Sequence, residues 1–118
     1  MVIRFSKMFY SAKRSKYGNE TKIYNGRLYH SKREADYAAE LDLLKRAGEI
    51  KEWTPQFKLS MDVRDHHICN YFIDFHVIDK SGEERIVEVK GHQTTEWKIK
   101  WKLCQALYGE KYKMVLVK

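Results

Sequence analysis

Asp74, Glu88 and Lys90 are the residues of this chain best placed to do chemistry together. They lie in the stretch NYFIDFHVIDKSGEERIVEVKG, residues 70–91, where two runs of β-branched and aromatic residues flank Lys80-Ser81-Gly82. That loop reads as a hairpin turn, with glycine where a positive φ is wanted. Side chains alternate along a strand, so Glu88 and Lys90 share one face while Val87 and Val89 take the other. A three-residue loop sets Asp79 opposite Glu83, and counting back sets Asp74 opposite Glu88. Facing side chains lie about 4.5–5.5 Å apart, where like charges repel. Two facing carboxylates are tolerated if they share a proton or hold a cation. The second arrangement is a metal site with a lysine beside it.

A Glu-x-Lys on a strand is ordinarily solvated surface. The flanks argue otherwise here: Phe72, Ile73, Phe75, Val77, Val87 and Val89 make both runs almost continuously apolar, as in strands buried on two faces. Charges in such strands are costly unless they are paired or bind a metal.

Other residues could support that set. The helical pattern after Ser31 puts Glu34, Tyr37, Ala38 and Leu41 on one stripe, so the Glu34 carboxylate falls on an apolar side that could face a sheet. Ser31-Lys32-Arg33-Glu34 is equally a capping box, in which Glu34 bonds back to the Ser31 amide. A second helix, capped by Thr94 or Thr95, carries Trp97, Trp101, Cys104 and Tyr108 on one stripe, with Ile99, Leu103, Ala106 and Leu107 beside it; these read as core. Lys98, Lys102 and Gln105 share the remaining face and could grip phosphate oxygens, or be an ordinary wet face. His66, His67 and Cys69 lack the spacing of a tetrahedral zinc set. His76 shares the Asp74 face as a supporting residue, and His92 follows just past the site.

The elements that must position these groups follow from periodicity and turn signals. Asn25-Gly26 makes a short hairpin of residues 22–29. A helix follows from Lys32 to Ala47, with Gly48 as its C-terminal cap. Then come a strand over Phe57–Met61, a polar loop over Asp62–His67, the Asp74 hairpin, the second helix to Tyr108 closed by Gly109, and a last strand near Lys113–Val117. A helix between the third and last core strands permits a parallel crossover. The expectation is an α/β fold, a mixed central sheet flanked by helices, preceded by a short N-terminal hairpin.

At 118 residues and 43% hydrophobic, the chain suits a single domain with its own core, taken as residues 21–118. No run is long and apolar enough to span a membrane, and no signal-peptide core opens the sequence, so a cytoplasmic protein is expected. Cys69 and Cys104 suggest neither a disulfide framework nor a metal motif. The formal charge of +7 favours a polyanionic partner, nucleic acid first. Residues 1–20 form a basic arm with Lys13, Arg14 and Lys16, suited to lie along phosphates or simply to aid solubility.

An Asp on one strand, Glu-x-Lys on the next, a glutamate on the preceding helix and a basic helix afterward resemble the PD-(D/E)xK, or restriction-endonuclease-like, nuclease superfamily. The order of elements matches its αβββαβ core. The blocks YNGRLYHSKREADYAAELDLLKRAGEI, YFIDFHVIDKSGEERIVEVKG and TTEWKIKWKLCQALYG resemble, more closely, small phage and prophage proteins related to Holliday-junction resolvases. That resemblance implies Asp74 and Glu88 as metal ligands with the Val89 carbonyl, Lys90 as the catalytic lysine and Glu34 as an accessory acid. Ile73 stands where the motif has proline. The implied activity is Mg²⁺-dependent hydrolysis of DNA, with Mn²⁺ substituting, on branched duplexes and by a homodimer, since one domain presents one site. A phage-encoded protein of this kind would work in the bacterial host cytoplasm. The alternatives are a catalytically silent DNA-binding module, or a nuclease for linear or mismatched DNA or for RNA.

Overall fold

The computed structural model describes residues 20–118; the basic arm with Lys13, Arg14 and Lys16 lies outside the described residues. The chain divides into two compact units, one ending at Arg46 and one spanning Ala47–Lys118.

In the first unit, β1 (Lys22–Tyr24) and β2 (Arg27–Tyr29) pair antiparallel, and α1 (Lys32–Arg46) follows. Asn25 and Gly26 both have positive φ, 51° and 81°, the backbone of the tight hairpin turn that Asn-Gly favours. Ser31 caps α1: its Oγ accepts the Glu34 N–H at 3.0 Å and its carbonyl accepts the Ala35 N–H at 3.1 Å. Ala35, Ala38 and Leu41 form the buried stripe, and Glu34 is buried with them. The helix is tied to β1 by Lys22 Nζ on Asp36 at 2.7 Å and by the Tyr24 hydroxyl donating to Asp42 at 2.5 Å. Gly48, with φ 79°, follows it as expected of a C-terminal cap.

The second unit holds β3 (Ile50–Val63), β4 (His66–Asp79), β5 (Glu84–Val89), α2 (Thr95–Tyr108) and β6 (Lys113–Val117). They form one mixed sheet in the order β3-β4-β5-β6, antiparallel except for the parallel pair β5 and β6. That parallel pair needs a long crossover, and α2 supplies it. The mixed α/β sheet, preceded by a hairpin, is the architecture the sequence implies.

Two stretches differ from expectation. The short strand over Phe57–Met61 and the loop over Asp62–His67 are instead parts of two 14-residue strands. Their turn is the pair Arg64-Asp65, both left-handed with φ 52° and 66°, and neither residue signals that turn in the sequence. Asp62 stays in the strand because its carboxylate accepts the Ser60 hydroxyl at 2.9 Å and meets His67 Nδ1 at 2.7 Å. Pro55 is tolerated within β3 because β3 is an edge strand.

The core of this unit packs Leu59, Met61, Tyr71, Ile73 and Ile86 of the sheet against Trp97 and Cys104 of α2, with Tyr112. The Trp97–Cys104 stripe is the one the sequence gives. Ile99 and Leu107, read as core, are 63% and 38% exposed. A helix lying on one sheet face buries one stripe, and Ile99 stands about 200° around the helix from Trp97. Gly109 closes α2 in right-handed conformation. Its glycine is required by proximity, since a Cβ there would lie 2.5 Å from the Gln105 carbonyl oxygen.

Candidate metal centre at the strand fork

The β4–β5 ladder runs from Ile78↔Glu84 to Phe75↔Val87 and stops. The Asp79 N–H donates to the Glu83 carbonyl at 2.8 Å and Gly82 has φ 93°, so the three-residue loop sets the register deduced from sequence. The next facing pair along that register is Asp74 and Glu88. There the strands part, and side chains replace the backbone ladder. The Asp74 N–H donates to Glu88 Oε1 at 3.0 Å, and the Val89 N–H donates to Asp74 Oδ2 at 2.8 Å. Each carboxylate thus occupies the backbone amide of the opposite strand.

A matched irregularity in β3 and β4 makes this possible. Tyr71 and Ile73 face α2, and so does Ile86, whose partner across the ladder is His76. The α2-facing side of β4 therefore changes from odd to even residues across Asp74. Opposite Asp74, Gln56 is absent from the β3–β4 register and has φ 52°. A left-handed glutamine costs about 1–2 kcal/mol. The swap brings Tyr71, on the opposite face by simple alternation, onto the side of Glu88.

Glu88 is 4% exposed. Its Oε2 accepts the Tyr71 hydroxyl and the Trp97 indole N–H, both at 2.8 Å. Burial, and next the Glu88 charge, push the Tyr71 phenol well up, so it remains a proton donor. The same two causes, in that order, push the Cys104 thiol up to about 11. Lys90 follows β5, its N–H bonded to the Val117 carbonyl at 2.8 Å, and its ammonium lies over the Trp97 ring, 5.6 Å from the centroid. Asp74, Glu88, Val89 and Lys90 therefore converge at one fork.

The donor set fits a hard cation. A carboxylate offers about four acceptor positions. Among the described residues, Glu88 fills three of them with Tyr71, Trp97 and the Asp74 amide, which leaves one on Oε1. Asp74 and the Val89 carbonyl add oxygen donors of the kind Mg²⁺ prefers. Among the described residues no group of three or more His, Cys, Asp or Glu side chains is placed to hold a metal ion. The candidate centre is two carboxylates and a carbonyl.

The remaining expected residues sort as follows. Glu34 belongs to the first unit; the fork is built wholly from the second. The Ser31 half of the predicted capping box is formed. Lys98, Lys102 and Gln105 are all exposed on α2. Lys100 is half-buried and pairs with Glu96 at 3.5 Å. His76 stands opposite Ile86 across the ladder; it is buried, stacks on Phe57 at 4.2 Å between centroids, and meets Glu84 through Nε2 at 2.8 Å. Sequence reasoning missed Tyr71, the contact of Trp97 with Glu88, and Gln56. Strict alternation hides the first, and a tryptophan on a core stripe gives no sign of the second.

Among the described residues, no helix is long and apolar enough to cross a membrane. A family model described as a protein of unknown function (DUF1064) matches residues 14–118. No curated protein and no solved structure matches the chain.

Proposed function

The chain belongs to the DUF1064 family, and we propose that this member is a metal-dependent endonuclease that hydrolyses DNA phosphodiester bonds, acting at branched duplexes. One observation carries the reading: where the β4–β5 ladder ends, Asp74 and Glu88 exchange hydrogen bonds with each other's strand, and Lys90 stands beside them. Asp74 and Glu88, with the Val89 carbonyl, would hold Mg²⁺ or Mn²⁺. When bound, the ion supplies Lewis acidity and charge neutralisation for phosphodiester hydrolysis. Lys90 stabilises negative charge developing on the phosphate or orients the attacking water. Exposed Lys98, Lys102 and Gln105 grip backbone phosphates, which makes binding salt-sensitive and largely independent of sequence. Lys13, Arg14 and Lys16 extend that contact, an assignment that comes from the charge pattern; an accessory-acid role for Glu34 is what the resemblance implies. A homodimer would cut both strands, in a cytoplasmic setting.

A second reading, a silent DNA-binding module, has its own support: Glu88 is buried and held by three protein donors. A cleavage panel separates the two. Four-way junction, flap, linear duplex, single strand and RNA are each incubated with and without Mg²⁺. The expected result is metal-dependent cutting of branched DNA that Asp74→Ala, Glu88→Ala and Lys90→Ala abolish with little loss of binding. Full activity of Asp74→Ala, or in excess chelator, refutes the nuclease reading.

A further inference from the structure

Two uncharged side chains reach the same oxygen of Glu88. The Trp97 indole N–H and the Tyr71 hydroxyl each donate to Oε2 at 2.8 Å. The terminal torsion of a glutamate is broad and has little preference of its own. Two donors from different elements, one on β4 and one on α2, remove that freedom. Trp97 is itself held by three contacts. Its ring stacks on Trp101 at 5.5 Å and 18°, its backbone N–H is capped by Thr94 Oγ1 at 3.1 Å, and Lys90 lies over its face.

We propose that Tyr71 and Trp97 are positioning residues that hold Oε2 of Glu88 inside the protein and so present Oε1, with the Asp74 carboxylate, to a divalent cation. The inference rests on the metal-centre reading above. Partners that orient a ligating carboxylate typically alter metal affinity or activity 10- to 100-fold when removed. The same bonds also satisfy a buried carboxylate, and a purely structural role predicts a different outcome. Deleting a donor would then lower stability and leave metal affinity alone. Tyr71 also owes its place to the face change at Asp74. Without that irregularity its ring would project from the far side of the sheet from Glu88. The strained backbone at Gln56 and the two donors on Oε2 are therefore parts of one arrangement.

The test uses the full chain and Mn²⁺ alone, with binding read by titration calorimetry and folding by thermal melts. Glu88→Gln is the reference for loss of the ligand. Tyr71→Phe and Trp97→Phe each remove one donor and keep an aromatic ring. The expected result is Glu88-dependent Mn²⁺ binding by the wild type, weakened about 10- to 100-fold in each variant, with cleavage recovering as Mn²⁺ is raised to saturation. Folded variants that bind Mn²⁺ as tightly as the wild type, while Glu88→Gln does not bind, overturn the inference and leave the metal centre standing. A wild type that binds no Mn²⁺ overturns both. Tyr71→Phe deletes a single oxygen, so the test stands on it if Trp97→Phe does not fold.

Discussion

Asp74→Asn should make the metal-free protein more stable. In the absence of a cation, Asp74 and Glu88 face each other at the end of a β ladder, about 5 Å apart by the spacing of facing pairs. At an effective dielectric of about 20, two unit charges at that distance repel by roughly 3 kcal/mol. The Lys90 ammonium lies over the Trp97 ring, and taking its offset as on the order of 1 kcal/mol leaves about 2 kcal/mol. Asparagine keeps an oxygen for the Val89 N–H, but a neutral acceptor is weaker than a charged one by about 1 kcal/mol. Relief of repulsion wins by about 1 kcal/mol, or roughly 4 °C in Tm for a domain of this size. The assay is thermal unfolding in chelator and again with a Mg²⁺ series. Added Mg²⁺ should raise the wild-type Tm by mass action and leave Asp74→Asn unmoved. An Asp74→Asn protein more than 1 kcal/mol less stable than wild type in chelator, with Mg²⁺ affecting neither, would show that the carboxylate is structural and the repulsion argument wrong.

Two further outcomes follow from the fold. The Cys104 thiol rises from its ordinary value of 9.0 to about 11, through burial first and the Glu88 charge second, so the folded state holds that proton more tightly. Its contribution to stability is complete below pH 9 and is lost as pH rises through about 11. Tyr29, raised by burial to about 12, extends the loss upward. Tm should therefore fall with pH above 9 and fall less steeply in Cys104→Ala; a Tm that rises over that range contradicts the assignment. At Gln56, with φ 52°, a β-branched residue is strained and glycine is not. Gln56→Val should be less stable than Gln56→Gly by about 1–2 kcal/mol in denaturant unfolding; equal stabilities would mean the backbone is not held left-handed.

What could be read beforehand divides along physical lines. The register that faces Asp74 with Glu88 was legible because a Lys-Ser-Gly loop of fixed length determines it, and alternation does the rest. The helix boundaries at Ser31, Thr94 and Gly109 were legible because caps are local chemistry. The long β3–β4 hairpin was not. Its turn uses Arg64 and Asp65 in a conformation that Asn and Gly normally signal, and the strand residues beside it include Asp62, His66 and His67. The face change at Gln56 and Asp74 was also hidden, since any period-2 reading assumes that a strand keeps its sides. What depends on that change was hidden with it: Tyr71 on Glu88, and His76 stacked on Phe57.

The hidden part bears on how the two functional readings compare. A silent binding module needs exposed cations and a stable sheet. Apolar side chains at positions 71, 88 and 97 together would serve it at least as well as a buried carboxylate with its donors, because ionised groups in an apolar interior cost several kcal/mol before their hydrogen bonds offset it. Here the offset draws on a phenol, an indole and a backbone amide, and the arrangement also requires a left-handed glutamine in the neighbouring strand. None of these groups improves contact with a phosphate backbone. All of them fix where one carboxylate points, at the place where its strand leaves the ladder beside a second carboxylate and a lysine. An arrangement that costs stability in order to fix direction is what the proposed ion site requires. Glu88→Leu leaves the Tyr71 hydroxyl, the Trp97 indole N–H and the Asp74 amide without their acceptor, so it lowers stability under either reading. The readings separate on function, because the folded variant of the proposed nuclease loses metal-dependent cleavage, whereas a silent module shows none in the wild type and keeps its DNA binding.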